Sequence, residues 1–332
     1  MTSPAGRHRD PPTTRTEKTL KSPRRTDPRR PDAAPDDPLP RPRPGTGPPA
    51  PVALVTGASA GIGAAFAARL AANGHDLVLV ARSDQRLRDT ATTLTRQHGV
   101  AVEVLGADLA TAEGQRRVAH RLAEPTRVQA PVDLLINNAG SASAPDFADT
   151  DPTVLRAALE LNVAAVLELT RAALPGMLAR GHGAILNVSS VNAFLTLPGG
   201  AATYGANKTY VTALTKAIAL TLTGSRVQIM ALCPGPTRTD FHTHNGTREG
   251  VSPAWLSHSP EWVVERALAD LHRGRTVSIP GLTTKLIALA GPHMPLPVTA
   301  FAVRRTRARR ARSADPMRPR PGRCRGGRRW GR

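Results

Sequence analysis

The chain has 332 residues, with 45 lysines and arginines against 25 aspartates and glutamates, for a formal charge of +20. That excess sits at the two ends, net +5 over residues 1–50 and net +12 over residues 304–332, so the nearly neutral middle excludes a compact basic nucleic-acid-binding domain. Two cysteines, Cys233 and Cys324, exclude a disulfide framework and point to a reducing, cytoplasmic setting.

Residues 1–50 hold 13 prolines and almost no large apolar side chains, so the segment is expected to be disordered. No apolar core follows its basic residues, which argues against a secretory signal. The first strand is expected at Val52–Thr56, followed by a glycine-rich turn and an alanine-rich helix, Ile62–Asn73, that stops at Gly74. Asp76–Ala81 reads as a buried strand. Ser83 is placed to cap a helix in which Leu87, Ala91 and Leu94 recur at helical spacing. Strands then follow at Val100–Leu105, Val132–Asn137, Gly183–Ser189, Arg226–Leu232 and Thr276–Ile279. The helices between them are Ala112–Glu124, Pro152–Ala179, Thr203–Thr223 and Pro260–His272. The strands are continuous apolar runs rather than alternating ones, which puts cover on both sheet faces. The fold class expected is α/β: a doubly wound parallel sheet of seven strands, a Rossmann fold, in one domain over residues 51–282. Residues 283–303 are apolar but broken by Lys285, Pro292, Pro295 and Pro297. They cannot span a bilayer, and either pack on the domain or lie at a membrane surface with the arginine-rich tail, 304–332. That tail is expected to be disordered, with polyanion or anionic membrane contact as its one sharper use and no specific nucleic acid as a partner.

The first strand runs into Thr56-Gly57-Ala58-Ser59-Ala60-Gly61-Ile62-Gly63. Gly57 permits the turn, Gly61 lets backbone approach a pyrophosphate, and Gly63 lets helix and strand pack closely. A helix opening here presents free N–H groups and a positive dipole end to phosphates, so Gly57, Ser59, Gly61, Ile62 and Gly63 are candidate cofactor ligands. The second strand ends Val80-Ala81-Arg82-Ser83, with an arginine where NAD sites carry an acid. A guanidinium suits a 2′-phosphate, which predicts NADP(H) in preference to NAD(H), with Arg82 and Ser83 as its ligands.

Tyr204 and Lys208 stand four residues apart near the start of a helix, one turn apart on one face. Tyrosine titrates near 10, too high for proton transfer at neutral pH, and a neighbouring ammonium favours the phenolate. Lowering that value by about three units takes roughly 4 kcal/mol, which a lysine and a cationic nicotinamide can supply in a partly dry site.

Taken in order, the glycine loop, Asn137-Asn138-Ala139-Gly140, Leu161-Asn162-Val163, Asn187-Val188-Ser189-Ser190, Tyr204-x-x-x-Lys208 and Pro234-Gly235 resemble the short-chain dehydrogenase/reductase family over about residues 50–282. The resemblance implies Tyr204 as general acid/base and Lys208 as holder of the nicotinamide ribose. It implies Ser190 as the hydroxyl orienting the substrate carbonyl and Asn162 as holder of a relay water. Asp108 and Leu109 fall where the family contacts adenine, Asn138, Ala139 and Gly140 line the cofactor cleft, and Pro234, Gly235 and Thr239 lie beside the nicotinamide. Ser190 stands 14 residues before Tyr204, one more than the family's usual separation, so Ser189 remains the alternative hydroxyl. The implied reaction is hydride transfer between NADP(H) and a ketone, aldehyde or alcohol, in a homo-oligomer. Phe194, Leu195, Leu197, Phe241 and Trp255, in the segments Phe194–Gly200 and Arg238–Ser259, favour a hydrophobic carbonyl compound. Two other functions share parts of the pattern: a catalytically silent NADP-binding regulator, and association with nucleic acid or membrane through the tails. The string His242-Thr243-His244 lacks a third nearby ligand, so no metal is expected.

Overall fold

The computed structural model describes residues 49–125, 129–142, 147–197, 201–239 and 257–297, together with Ala300 and Arg304. Outside the described residues lie nearly all of both charged tails, Pro198-Gly199-Gly200, and residues 240–256 with Phe241, Trp255 and the two histidines of the His-Thr-His string.

Seven parallel strands form one sheet in the order β3-β2-β1-β4-β5-β6-β7. They are β1 (Val52–Thr56), β2 (Asp76–Ala81), β3 (Val102–Gly106), β4 (Leu134–Asn137), β5 (Gly183–Val188), β6 (Val227–Leu232) and β7 (Val277–Ser278). Helices follow the strands: α1 (Gly61–Ala72), α2 (Asp84–His98), α3 (Ala112–Ala123), α4 (Pro152–Leu159), α5 (Ala165–Arg180), α6 (Ala201–Thr221), α7 (Pro260–His272) and α8 (Leu282–Ala290). β1 and β4 are buried along their whole length, whereas the edge strand β3 is only partly buried apart from Leu105. Side chains on the two faces of β1 enter different cores. Ala53 and Val55 pack with Phe66 and Leu70 of α1 and Val263 of α7, whereas Val52 and Leu54 pack with Val118 of α3 and Leu169 of α5.

The expected single helix over Pro152–Ala179 is interrupted. Residues Glu160–Ala164 form one π-helical turn between α4 and α5, and Asn162 sits in it, fully buried. A π turn inside an α-helix inserts one extra residue and re-aims a side chain, which periodicity in the sequence does not reveal. Ser83 occupies the N-cap position of α2 with extended backbone but makes no side-chain cap bond.

From β1 the chain winds outward through β2 and β3, then returns to lay β4 on the opposite side of β1. The connections therefore diverge between the carboxyl ends of β1 and β4, and such a switch point opens a crevice where ligands bind in parallel α/β sheets.

Candidate active site

Thr56, the last residue of β1, holds the two lips of that crevice together. Its hydroxyl donates to the Ile136 carbonyl (3.3 Å) and accepts from the amides of Asn138 (2.9 Å) and Ala139 (3.0 Å). The Asn138 amide nitrogen returns two bonds, to the carbonyls of Thr56 (2.9 Å) and Gly57 (3.3 Å). The glycine turn is thus fixed from the β4 side as well as by its own backbone. Gly57 stands at φ +64°, where a side chain is strained, and a Cβ there would lie 2.8 Å from Asn138 Nδ2. A Cβ on Gly63 would run into the Gly57 carbonyl oxygen.

Helix α1 opens at this turn with Ala60 as its N-cap, no side-chain cap and no acidic residue in its first turn. Its leading amides are left to an outside acceptor, the arrangement that suits an anion such as a pyrophosphate. Thr239 closes the far side: its Cγ2 would stand 3.1 Å from a Cβ on Gly61. A cavity of about 590 Å³ at the ends of β2 and β3 is lined by Arg82, Asp84, Gly106, Ala107 and Asp108. Arg82 is exposed there, and Ser83, also exposed, does not line the cavity. Asp84 brings a second carboxylate near Arg82, but it is engaged by Arg88 at 3.4 Å and packs on Gly106. Asp108 Oδ1 accepts from the Ala110 amide (3.0 Å), and Leu109 is buried. The cavity thus brings one exposed guanidinium together with two carboxylates, Asp84 over Gly106 and Asp108 at the wall, at the place where the adenosine end of a dinucleotide would lie.

A second network fixes α6 against β5. Lys208 is buried, and its Nζ donates to the Val188 carbonyl at the end of β5 (2.8 Å). The Lys208 carbonyl in turn accepts from the Ser189 hydroxyl (2.8 Å) and from Thr212 Oγ1 (2.9 Å). Deeper in, Asn137 Nδ2 donates to Asn187 Oδ1 (2.9 Å), and Asn187 Nδ2 donates to Thr215 Oγ1 (3.0 Å). Burial pushes the Lys208 ammonium down to about 8, and the nearby Cys233, itself pushed up to about 11 by burial, offers it no anion at neutral pH. Tyr204 is half-buried one turn earlier, with its ring centre 5.7 Å from Lys208 Nζ.

Asn162 joins this group from the π turn. Its Oδ1 accepts from the Ser141 amide (3.1 Å) and its Nδ2 donates to the Ser141 carbonyl (2.9 Å). A Cβ on Gly140 would stand 2.8 Å from Asn162 Oδ1 and 3.5 Å from Lys208 Nζ, so Gly140, Asn162 and Lys208 meet at one spot. The two serines differ. Ser189 is spent on α6, whereas Ser190 Oγ accepts from the Asn192 amide (3.2 Å) at the head of the 3-10 turn Val191–Phe194. Pro234 accepts from the Val191 amide (2.9 Å), which ties the Pro234-Gly235 segment to that turn.

Thr56, Asn137 and Asn187 lie inside the sequence motifs without a role assigned to them there, and Thr215 and Thr284 lie outside them; Thr284 Oγ1 would lie 2.6 Å from a Cβ on Gly235. Thr56 precedes the first glycine, so its place at the strand end was the available signal. Thr284 carried none, because its contact spans some fifty positions of chain. A larger cavity, about 1010 Å³, runs along Ala64, Ala65 and Ala68 of α1 to Arg238 and Glu261. It meets the site at Gly61 and Thr239, and neither Ser190, Tyr204 nor Lys208 lines it.

A family model described as short chain dehydrogenase matches residues 51–250. The chain is 37% identical over 193 residues to dehydrogenase/reductase SDR family member 4 of Bos taurus, covering 57% of this chain and 67% of that protein. It is 35% identical over 210 residues to galactitol 2-dehydrogenase (L-tagatose-forming) of Cereibacter sphaeroides, covering 63% and 80%. Among solved structures, a short-chain dehydrogenase from Sphingobium yanoikuyae in complex with NADPH aligns with a TM-score of 0.65 and 33% identity, over 82% of this chain and 99% of that one. The bulky-bulky ketone specific alcohol dehydrogenase from Comamonas testosteroni aligns with a TM-score of 0.60 and 28% identity, over 81% and 97%. A family match over more than half the chain, on a fold whose crevice is built for a dinucleotide, means that this protein belongs to the short-chain dehydrogenase/reductase family, oxidoreductases that act on alcohols and carbonyl compounds with a nicotinamide cofactor.

Proposed function

We propose that this enzyme reduces a hydrophobic ketone or aldehyde with NADPH, and runs the reverse oxidation, with Tyr204 as general acid/base. The observation that carries the reading is the meeting of Lys208, Asn162 and Gly140 at one buried spot beside the half-buried Tyr204 ring. When bound, the nicotinamide supplies the hydride. Gly57, Ser59, Gly61, Ile62 and Gly63 hold the pyrophosphate, Asp108 and Leu109 the adenine side, and Asn138, Ala139, Gly140, Pro234, Gly235 and Thr239 line the nicotinamide half. Lys208, fixed at both its ammonium and its carbonyl, holds the ribose. Its positive charge favours departure of the Tyr204 proton toward a developing alkoxide. Ser190 and Tyr204 hydroxyls together stabilise that oxyanion, a contribution of the kind worth about 10²–10³ in rate per donor. Asn162, locked to Ser141, holds the relay water.

Ser190 is favoured over Ser189 because the Ser189 hydroxyl is committed to Lys208 and Thr212. NADP(H) is favoured because Arg82 is exposed at the β2 end, while Asp84 beside it is engaged by Arg88. The NADPH complex of the Sphingobium yanoikuyae relative and the bulky-bulky ketone preference in the name of the Comamonas testosteroni one point the same way. Exposed Leu167 and Leu178 on α5, with Tyr210 and Leu220 on α6, support the expected homo-oligomer. The test follows NADPH absorbance over a panel of ketones and aldehydes of graded size and polarity, with NADH in parallel. Turnover should favour bulky apolar carbonyls and NADPH, and Arg82→Ala should raise the NADPH KM by roughly tenfold or more while leaving NADH little changed. A wild-type preference for NADH, or an Arg82→Ala effect equal for both cofactors, would overturn the cofactor assignment.

A further inference from the structure

Helix α8 has two opposed faces. Thr284 and Ala288 are buried, and Gly291 just beyond the helix packs on the Phe194 carbonyl and the Leu195 side chain. On the other side Leu282, Leu286 and Leu289 are 74%, 58% and 70% exposed. Their three- and four-residue spacing makes one continuous apolar stripe, and the exposed Met294 and Leu296 follow it along the chain. Single exposed leucines are ordinary, but a stripe of them with no cover among the described residues is a docking feature.

The charge of the sequence that carries the stripe is one-sided. No aspartate or glutamate occurs in the sequence between Asp270 and Asp315, and with Arg273 and Arg275 ion-paired to Asp270, the positive charge along this stretch comes from Lys285 on the helix and six arginines from Arg304 to Arg312. We propose that α8, with the arginine-rich sequence that follows it, docks this chain on an anionic lipid surface: the leucines enter the interface and the basic groups meet the headgroups. A second copy of the chain is a poorer occupant. A two-fold contact through this face would set the same cationic stretch against itself. A nucleic acid would satisfy the arginines and leave the leucines in water. A bilayer with acidic headgroups offers both an apolar layer and negative charge at the depth an in-plane amphipathic helix reaches. The helix has nine residues, far short of the roughly 20 needed to cross a membrane, so it lies on the surface rather than spanning it. Its inner face rests on the turn that begins after Ser190 and, through Thr284, on Gly235. The docked side is therefore next to the substrate side of the crevice. The docking itself does not depend on the reaction proposed above.

The test is flotation of the full-length protein with phosphatidylcholine vesicles, with and without phosphatidylserine, at low and high salt. Wild type should float with the phosphatidylserine vesicles, not with phosphatidylcholine alone, and should be released by salt. Leu282→Ser combined with Leu286→Ser and Leu289→Ser should weaken binding by about tenfold or more, since each leucine loses its apolar burial. Lys285→Glu with Arg304→Glu should weaken it by at least about fivefold. All five positions are exposed, so a matching far-UV circular dichroism melt is expected. If the triple variant melts early, Leu286→Ser alone and the charge variant carry the comparison. The proposal is overturned if wild type does not float, if it floats equally well without phosphatidylserine, or if the leucine variants float like wild type. It is also overturned if the leucine changes instead lower the solution mass, which would assign the stripe to a second copy.

Discussion

Replacing Lys208 with methionine removes a buried ammonium while nearly keeping its volume. Burial lowers the Lys208 ammonium from 10.5 to about 8, which corresponds to about 3 kcal/mol spent on holding the charge in place at neutral pH. Against this, the Val188 carbonyl loses its donor, at a cost of about 1–2 kcal/mol. The cofactor-free Lys208→Met enzyme should therefore be more stable than wild type near pH 7, by about 1–2 kcal/mol, even as its turnover collapses. The sign reverses with pH. The folded lysine releases its proton near 8 and the unfolded one only near 10.5, so between those values the unfolded chain binds more protons and wild-type stability rises with pH. The advantage of the variant should shrink above about pH 8 and be gone, or inverted, by about pH 10. Urea denaturation of both proteins, followed by circular dichroism at three pH values, measures this. A variant less stable than wild type at neutral pH, by an amount that does not change with pH, would refute the view that Lys208 is held charged against its burial.

Two further outcomes follow from the site and its surroundings. Ser190→Ala should lower kcat by about 10²-fold, whereas Ser189→Ala should cost about 1 kcal/mol of stability and leave kcat within a few-fold, because Thr212 still donates to the Lys208 carbonyl; steady-state kinetics beside urea melts separates the two, and a larger kcat loss at Ser189 would exchange their roles. Burial holds the His75 imidazole below its ordinary 6.5, outweighing a hydrogen bond to the Leu70 backbone and the pull of Asp133 and Asp76, and its Nδ1 has no hydrogen-bond partner among the described residues. The unfolded chain then takes up that proton first, so stability is lost as pH falls through 6.5. His75→Gln should flatten the urea-midpoint change between about pH 7 and about pH 5, and an unchanged slope would show that His75 is not its source.

The strands were legible because each is an apolar run bounded by turn residues. Their starts were misplaced by up to two positions at β3 and β4, where Val100 and Val132 are buried before the ladder begins. Helix α7 begins and ends at the expected residues because Ser259 caps it through Trp262 N and Pro260 opens it. The break between α4 and α5 was hidden, since a π turn keeps apolar spacing nearly intact while shifting Asn162 inward. In the site, the glycine loop and the Tyr204–Lys208 pair could be read from local spacing alone. The division of labour between Ser189 and Ser190 could not, because it depends on which hydroxyl meets α6, a contact 19 positions away in the chain. The sequence marks the α8 region only as a broken apolar segment; which of its residues face inward is decided by packing on Phe194 and Gly235.

The most direct test of the account is single-turnover oxidation of bound NADPH by a bulky apolar ketone, compared between wild type and Tyr204→Phe, with NADPH affinity measured by fluorescence titration in the same samples. The account predicts nearly equal affinity and a loss of rate of at least about 10²-fold in the variant. Equal rates in the two proteins, at equal cofactor occupancy, would contradict the assignment of the transferred proton to Tyr204.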